Sequence, residues 1–410
     1  MPLPASQFSR HIAVAGAGVA GLASAILLRR LGMTVTLFDQ VSDPTPVGAG
    51  LLLQPSGQAV LAQLGLLPQV REQAAVVNSL QGYTGRWHTL DLTYRDGHPA
   101  WHGLGIHRAN LHQVLWQGAL ASGAEFKTGN AILDFQSLAD GVRVVDQNGS
   151  SQFDALIIAN GTRSTLREKL AVSHYHQPYP WGAYWAVLDR DDWPFPDILM
   201  QRYRGAHVML GVLPTGRNPA SGKCCYSLFW SLPRSEFSQF QAQGMAGLIA
   251  SIRRVWPEVA DWLATAPDTR IAIAEYADVR LTPWHHENVI VIGDAAHAMS
   301  PQLGQGANMA LIDAHILATT LAQGLAQGQA IDQALQAYSR RRAKHIAYYQ
   351  MASRIMTPLY QSQYPVGWLR DIGTVIGRHI APVYRQYLLT LCGAKQGTFD
   401  LSASIDDLLR

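Results

Sequence analysis

Near the start of the chain, apolar positions fall in three blocks separated by glycine. Ile12-Ala13-Val14-Ala15 is a short apolar run. Gly16-Ala17-Gly18-Val19-Ala20-Gly21 interrupts it, and Leu22 to Leu31 follows with Ala and Leu at helical spacing, closed by Gly32. Val35 to Phe38 is β-branched and aromatic and ends at Asp39. Strand, glycine turn, helix, strand is the βαβ pattern of a dinucleotide-binding fold.

Further along, the pattern predicts a helix over Gln58–Leu64, strands over Leu80–Trp101 and a helix over Arg108–Ala121. Ala131 to Ile158 reads as a meander, with Asp140-Gly141 and Asn148-Gly149 as hairpin turns. Its last run, Ala155 to Ile158, predicts a buried strand. From Val172 to Ala277 the chain alternates over several strands and is rich in Trp, Tyr and Pro, which predicts a mixed sheet. Val289–Ile292 is a second buried strand. Asn308–Ala326 and Asp332–Met356 predict helices, the latter with a basic face at Arg340-Arg341-Arg342.

At 410 residues the chain suggests two to three domains and needs no staple to hold a core. Only 15% of residues are charged and the net charge is +3, without a basic block. This excludes a disordered polyampholyte and argues against a nucleic-acid partner. Three cysteines, two of them adjacent (Cys224, Cys225), support neither a disulfide framework nor a metal site, so no metal and a cytoplasmic setting are expected. No uninterrupted apolar run predicts a transmembrane segment.

The glycine motif has a physical reason at each position. One glycine permits the turn, one lets backbone N–H groups approach a pyrophosphate, and one lets helix and strand pack. The helix N-terminus then favours the anion. Asp39, at the end of the second strand, can accept hydrogen bonds from both ribose hydroxyls, which suits NAD or FAD and disfavours a 2′-phosphate. Gly16, Gly18, Val19, Ala20, Gly21 and Asp39 are therefore candidate cofactor contacts.

A second cluster narrows the choice. Val291-Ile292-Gly293-Asp294-Ala295-Ala296-His297 runs on through Pro301, Leu303, Gly304, Gly306, Ala307 and Asn308 to Asp313. A buried strand would deliver Asp294 to its edge, where a ribityl hydroxyl could be held. The next helix would point its N-terminus at a reduced ring. This stretch resembles the flavin-binding Gly-Asp motif of the class A FAD-dependent aromatic monooxygenases, the p-hydroxybenzoate hydroxylase fold. Asp154 to Arg167 is similar to that family's Asp-Gly motif, with Asn160 standing where the family has Asp. Arg108, opening its helix, matches an arginine that in the family reaches the FAD pyrophosphate. Trp368-Leu369-Arg370-Asp371 and Leu391 to Lys395 look like the C-terminal part of the ubiquinone-biosynthesis-type hydroxylases.

The resemblance implies an α/β architecture: a Rossmann-like FAD-binding domain, an inserted mixed-sheet substrate domain and C-terminal helices. The expected division is 1–75, 102–171 and 278–330 for the flavin domain, 76–101 and 172–277 for the sheet, and 331–410 for the helical region. It implies tightly bound, non-covalent FAD, and NAD(P)H as a transient co-substrate. It further implies O2, a small aromatic or extended apolar substrate hydroxylated through a flavin C4a-hydroperoxide, and a monomer or homodimer. Pro301, Gly304 and Gly306 would shape the oxygen pocket by their backbone. Arg108, Asn160, Asp294, Leu303, Gly304, Gly306, Ala307 and Asn308 join the expected cofactor contacts.

No catalytic base is identifiable. Tyr184, His207 and Tyr226 are candidate substrate contacts that could equally be packing residues. Arg202 and Arg204, on one face of a strand, could anchor an anion or simply meet solvent. His297 reads as part of the turn after the strand. A halogenase is disfavoured by the lack of a Trp-x-Trp pair. A flavin reductase or dehydrogenase without oxygen insertion, and a non-catalytic flavin-binding module, remain alternatives.

Overall fold

A computed structural model of the chain describes residues 8–43, 50–266, 271–398, 400 and 404–410. The chain begins with β1 (His11–Ala15), α1 (Val19–Arg30) and β2 (Thr34–Asp39). Next come β3 (Gly50–Leu53), α2 (Pro55–Gln63), α3 (Leu67–Gln73), β4 (Ala75–Val77), β5 (Ser79–Thr84) and β6 (Trp87–Thr93). β7 (Gly103–His107) runs directly into α4 (Arg108–Ala121), followed by β8 (Glu125–Thr128). β9 (Ile132–Leu138), β10 (Gly141–Asp146) and β11 (Gly149–Phe153) precede β12 (Ala155–Ile158). The middle holds β13 (Ser173–Asp189), β14 (Ile198–Arg204), β15 (Val208–Arg217), β16 (Cys224–Pro233), α5 (Phe237–Arg253) and α6 (Pro257–Ala264). β17 (Ile271–Thr282), β18 (His285–His286), β19 (Val289–Val291) and α7 (Asp294–His297) lead to the helices. These are α8 (Gly306–Ala326), α9 (Ile331–Tyr360), α10 (Gly367–Gly377), α11 (Ala381–Leu391) and α12 (Ile405–Leu409).

Two sheets organise the molecule. The first has the order β18-β19-β12-β1-β2-β8 and is parallel except at β18. Its central strands are apolar on both faces because helices cover both. α1 is buried from Ala20 to Leu28 and packs on α8 and α4. The sequence reads Ala131–Ile158 as one meander. In the structure β9, β10 and β11 form their own three-stranded sheet, and β12 leaves it to pair in parallel with β1 and β19.

The second sheet, β17-β13-β16-β15-β14-β5-β6, is antiparallel except for the parallel pair β14–β5. β17 stays paired to β13 as far as Thr282, so the crossover back to the first sheet falls five residues later than the expected boundary at 278. One face of this sheet carries Tyr184, Leu210, Tyr226, Leu228 and Trp230 and packs under α5 and α6 with Trp256 and Trp262. The opposite face carries Leu199, Tyr203, Met209, Leu213 and Phe229 and packs on β3 and the C-terminal helices. α8 is long and apolar enough to cross a membrane by composition, but most of it is buried against α1 and α9, as the core helix of a globular fold is.

Candidate functional site

The first sheet brings the three sequence motifs to one edge. β1, β12 and β19 are parallel neighbours, so the Gly16 turn, the Ala159–Gly161 segment and the Gly293–Asp294 turn share the carboxyl end of the sheet. In open α/β sheets ligands bind at that edge. The glycines divide by environment. An added Cβ on Gly16 would lie 2.6 Å from the Ala159 carbonyl, and one on Gly21 would lie 1.9 Å from the Gly16 carbonyl. Those two glycines let the chain segments touch. A Cβ on Gly18, Gly161 or Gly304 would meet nothing within 4 Å. Gly18 is also the N-cap of α1, with no side-chain cap and no acidic residue in the first turn. Its N–H groups therefore face open space unpaired, the arrangement that takes a phosphate. Gly18→Val should keep the fold, since the new side chain clashes with nothing. It should weaken flavin binding by roughly tenfold or more, about 1.4 kcal/mol. Fluorescence titration of the apoprotein with FAD checks this, and Gly21→Val should instead lose soluble protein.

Asp39 closes the second wall of the cradle. Its Oδ2 accepts the Ala17 N–H at 2.7 Å and its Oδ1 the Val41 N–H at 2.9 Å. Each oxygen keeps a lone pair for a ribose hydroxyl. From α4, His112 Nε2 contacts the Ala17 carbonyl at 2.9 Å. Burial and the Arg108 charge lower its pKa against the opposing pull of Ala17 and Asp39, so the neutral ring donates. Val19 and Ala20 open α1 beside the cradle.

Two charged residues at this edge have no hydrogen-bond or ion-pair partner among the described residues. Arg108 is exposed at the first position of α4, behind the buried His107 N-cap. Asp294 is exposed at the start of α7, on the turn made by Gly293 at φ 62°. The Asp294 Oδ1 lies 3.7 Å from where a Gly306 Cβ would stand, so it faces the N-terminus of α8. Asn160 is exposed at the end of β12, and its Cα lies 2.7 Å from the Cβ position of Gly16. Around the α8 entrance, buried polar atoms Gln54 Nε2, Ser300 Oγ, Gln302 Nε2 and Gln305 Oε1 also lack a partner among the described residues. An open glycine cradle, uncommitted charges of both signs and orphaned buried polar atoms fit a long ligand carrying phosphates, hydroxyls and a heteroaromatic ring.

The loop ahead of α8 is Pro301–Leu303, a 3-10 turn, followed by Gly304 in the left-handed region at φ 60°. Leu303 is buried, whereas Gly304 and Gly306 are exposed and Ala307 is half-buried. Asn308, one of the expected cofactor contacts, turns its side chain inward. It is fully buried, its Oδ1 accepts the Gln54 N–H at 2.9 Å, and its Nδ2 donates to the Gly304 carbonyl at 3.1 Å. It braces the loop rather than projecting from it.

Behind the edge lies a polar cluster whose membership the sequence did not show. Asp313 of α8 is 0% exposed and accepts from Gly293 N–H (2.8 Å), His297 Nε2 (2.5 Å) and Arg342 Nε (2.8 Å). Burial alone would raise the Asp313 pKa, but the His297 and Arg342 charges reverse this and hold it below the usual carboxylate range. Arg342 also reaches His345 Nδ1, and His345 Nε2 reaches the Gly393 carbonyl at 3.3 Å. Burial and the Arg342 charge push the His345 pKa well down. The expected basic face of α9 is therefore only partly a surface: Arg340 is exposed, but Arg342 is 1% exposed. His297 belongs to the turn, as read, and the turn is held by this cluster. Arg167, also buried, donates to the Thr162 and Ala295 carbonyls and ties the β12 motif to α7.

The candidate substrate contacts are engaged within the protein. Tyr184 and Tyr226 lie on the sheet face covered by α5 and α6, turned away from the cradle. Tyr184 donates to the Phe237 carbonyl at 2.8 Å, and Tyr226 packs edge-on against Trp262. His207 sits at the β14–β15 turn, edge-on to Trp181 and 3.4 Å from Glu236. Arg202 stacks over Tyr83 and Trp256 and meets neither an anion nor open water alone. The opposite face brings Trp185 onto Phe229, with ring centroids 5.2 Å apart. Trp185 Nε1 donates to the Tyr276 hydroxyl at 3.2 Å. Burial raises the Tyr276 pKa, opposed by the Trp185 hydrogen bond and the Arg108 charge. Ser227, on the same face of β16 as Phe229, accepts the Gly50 N–H at 2.7 Å, and Gly50 pairs with His107 just before Arg108, so this face meets the strands that lead to the cradle.

Fold and edge together define a flavoprotein of the dinucleotide-binding α/β class. A family described as FAD binding domain matches residues 10–353, and the chain belongs to it; it is an FAD-dependent monooxygenase. Among curated relatives, a putative FAD-dependent monooxygenase, YetM of Bacillus subtilis (strain 168), is 28% identical over 348 residues, covering 82% of this chain and 89% of that one. The 3-hydroxybenzoate 6-hydroxylase of Klebsiella oxytoca is 27% identical over 331 residues, covering 75% and 79%. The crystal structure of PqsL from P. aeruginosa superposes with a TM-score of 0.76 at 21% identity, covering 90% and 100%, a likeness of fold.

Proposed function

We propose that the chain hydroxylates a small aromatic substrate held between the cradle edge and the inner face of the second sheet. The observation that carries this is the aromatic wall of Trp185, Phe229 and Tyr276 on the sheet face whose Ser227 bonds the Gly50 N–H, opposite His107 at the entry to α4. The Tyr276 hydroxyl accepts from Trp185, and its own proton has no acceptor among the described residues. It can donate to a substrate oxygen. The relatives that act on 3-hydroxybenzoate and 6-hydroxynicotinate, by their names, are consistent with a phenolic or hydroxypyridine ring.

Bound FAD supplies acceptance of hydride from NAD(P)H and activation of O2. The chain supplies position and dryness. The α1 N–H groups at Gly18 and the Arg108 guanidinium take the pyrophosphate. Asp39 takes one ribose, and Asp294 takes the ribityl chain. The Pro301–Ala307 backbone and the α8 N-terminus stabilise negative charge where the ring would lie. Asn160 faces the same edge without a carboxylate, which removes repulsion towards phosphate groups. The flavin residues are read as 1–75, 102–171 and the segment after Thr282 to 330, with the second sheet as the substrate-bearing part and the helices from 331 closing it.

The test is NADH and NADPH oxidation in air over a panel of phenols, hydroxypyridines and quinolones, with mass spectrometry of products. A product heavier by one oxygen is expected, and hydrogen peroxide as the sole product across the panel overturns the reading. Tyr276→Phe should raise KM for the accepted substrate about 3- to 10-fold, the worth of one hydrogen bond, while flavin content stays unchanged.

A further inference from the structure

The residue at the N-cap of α8 does not cap it. Gln305 holds that position, but its side chain makes no bond to the first turn, and that turn has no acidic residue. Among the described residues no acceptor takes the N–H of Gly306, Ala307 or Asn308. A side-chain oxygen at an N-cap ordinarily accepts from the second or third helical N–H. Gln305 is 2% exposed and turns the other way. Its Nε2 donates to the Leu391 carbonyl at 2.6 Å, and its Oε1 is buried without a partner among the described residues. A buried amide oxygen left unpaired next to free helical N–H groups is unfavourable, so the side chain must be held back by something outside the helix.

The end of α11 holds it. There the chain turns at Gly393, at φ 78°, and three successive carbonyls are each taken by a different element. Leu391 accepts from Gln305, Cys392 from the Ser56 N–H of α2 at 3.3 Å, and Gly393 from His345 Nε2 of α9 at 3.3 Å. Just before them, the Thr390 carbonyl accepts from the Tyr349 hydroxyl at 3.0 Å. His345 Nδ1 faces the Arg342 guanidinium and so accepts, which leaves its Nε2–H as the donor to Gly393. A Cβ on Gly393 would lie 2.1 Å from Ser56 Oγ and 3.1 Å from Gln305 Oε1, so glycine lets the turn close on both. The stretch from Leu391 is thus a clasp on the entrance to α8. We propose that Gln305 is a positioning residue: clasped at Leu391, it leaves the first N–H groups of α8 uncapped and free to stabilise negative charge on the flavin ring. The helix is then less stable than a capped one. This rests on the reading that the ring lies at the α8 N-terminus.

Three variants of the full chain test this, read by the midpoint potential of the bound flavin and the melting of the apoprotein. Gln305→Ser gives up Leu391 and sets a capping hydroxyl beside the Ala307 and Asn308 N–H groups. Gln305→Met also gives up Leu391 but carries no oxygen to cap with. Gln305→Ser should shift the reduction equilibrium against the reduced flavin roughly 3- to 10-fold, ~15–30 mV for a two-electron couple. Its apoprotein should nevertheless melt above that of Gln305→Met, whose potential should stay near wild type. Gln305→Asp, which caps with a charge, should lower the potential further than Gln305→Ser. The proposal is overturned if Gln305→Ser and Gln305→Met leave the same potential, since the amide would then only brace the fold. The wild-type potential should lie above that of free FAD. A wild-type potential no higher than free FAD would overturn the placement of the ring at α8, and this proposal with it.

Discussion

Asp294→Ala should yield a folded protein that has lost its yellow colour. The side chain is exposed and has no hydrogen-bond or ion-pair partner among the described residues, so its removal leaves nothing in the protein unsatisfied. Surface changes of this kind usually move stability by less than about 0.5 kcal/mol. A carboxylate accepting from ribityl hydroxyls is worth about 1.5–3 kcal/mol, roughly 10- to 150-fold in affinity. The visible absorbance of purified protein after dialysis, and the dissociation constant on adding FAD back, measure the effect. Apoprotein melting should match that of wild-type apoprotein. Retention of one flavin per chain after dialysis would contradict the role assigned to Asp294.

The βαβ unit at the start was legible because its signals are local. The strand and helix periods, the glycine positions and Asp39 all lie within one short segment, and β1, α1 and β2 fall where the pattern places them. The Gly293–Asn308 run was legible for the same reason. What escaped was everything decided by which way a side chain points or what meets it from afar. Tyr184 and Trp185 are neighbours on β13, and side chains alternate along a strand. Both faces of that sheet are covered and aromatic, so alternation does not show which face looks at the cofactor. The pattern offers Tyr184 as a substrate contact, and it is Trp185 that packs on the face shared with Phe229 and Leu52 of β3. Arg342 sits in a run of three arginines that reads as a surface, and its partner Asp313 lies 29 residues away on another helix. Trp368 and Ile376 would be assigned inward by hydrophobicity, and only the buried Arg370 explains why they are outward.

Asp313 bears on the same edge, because it accepts the Gly293 N–H in the turn that presents Asp294. Asp313→Asn removes the charge while keeping the volume. It leaves Arg342, which the fold has already taken out of water, without a counter-ion. Breaking one side of a buried pair costs about 3–5 kcal/mol, a large share of the usual stability of a protein. Denaturant unfolding should show that loss in the apoprotein, before any flavin effect is counted. Adding Arg342→Met should recover part of it, since the pair is then replaced rather than broken, and a double-mutant cycle reads the coupling. The pH dependence has a definite sign. The Asp313 pKa is depressed in the folded state, so its contribution is complete above about pH 4 and is lost as pH falls through the folded value. The His345 pKa is also depressed, by burial first and Arg342 second, so the unfolded chain takes up its proton earlier, from about pH 6.5 downward. Both therefore push the same way, and wild-type stability should fall steadily from about pH 6.5 into the acid range. Asp313→Asn should lose the part below about pH 4 and keep the part set by His345. A flat stability profile across that range in the wild type would mean that the cluster is not the charged anchor the geometry makes it.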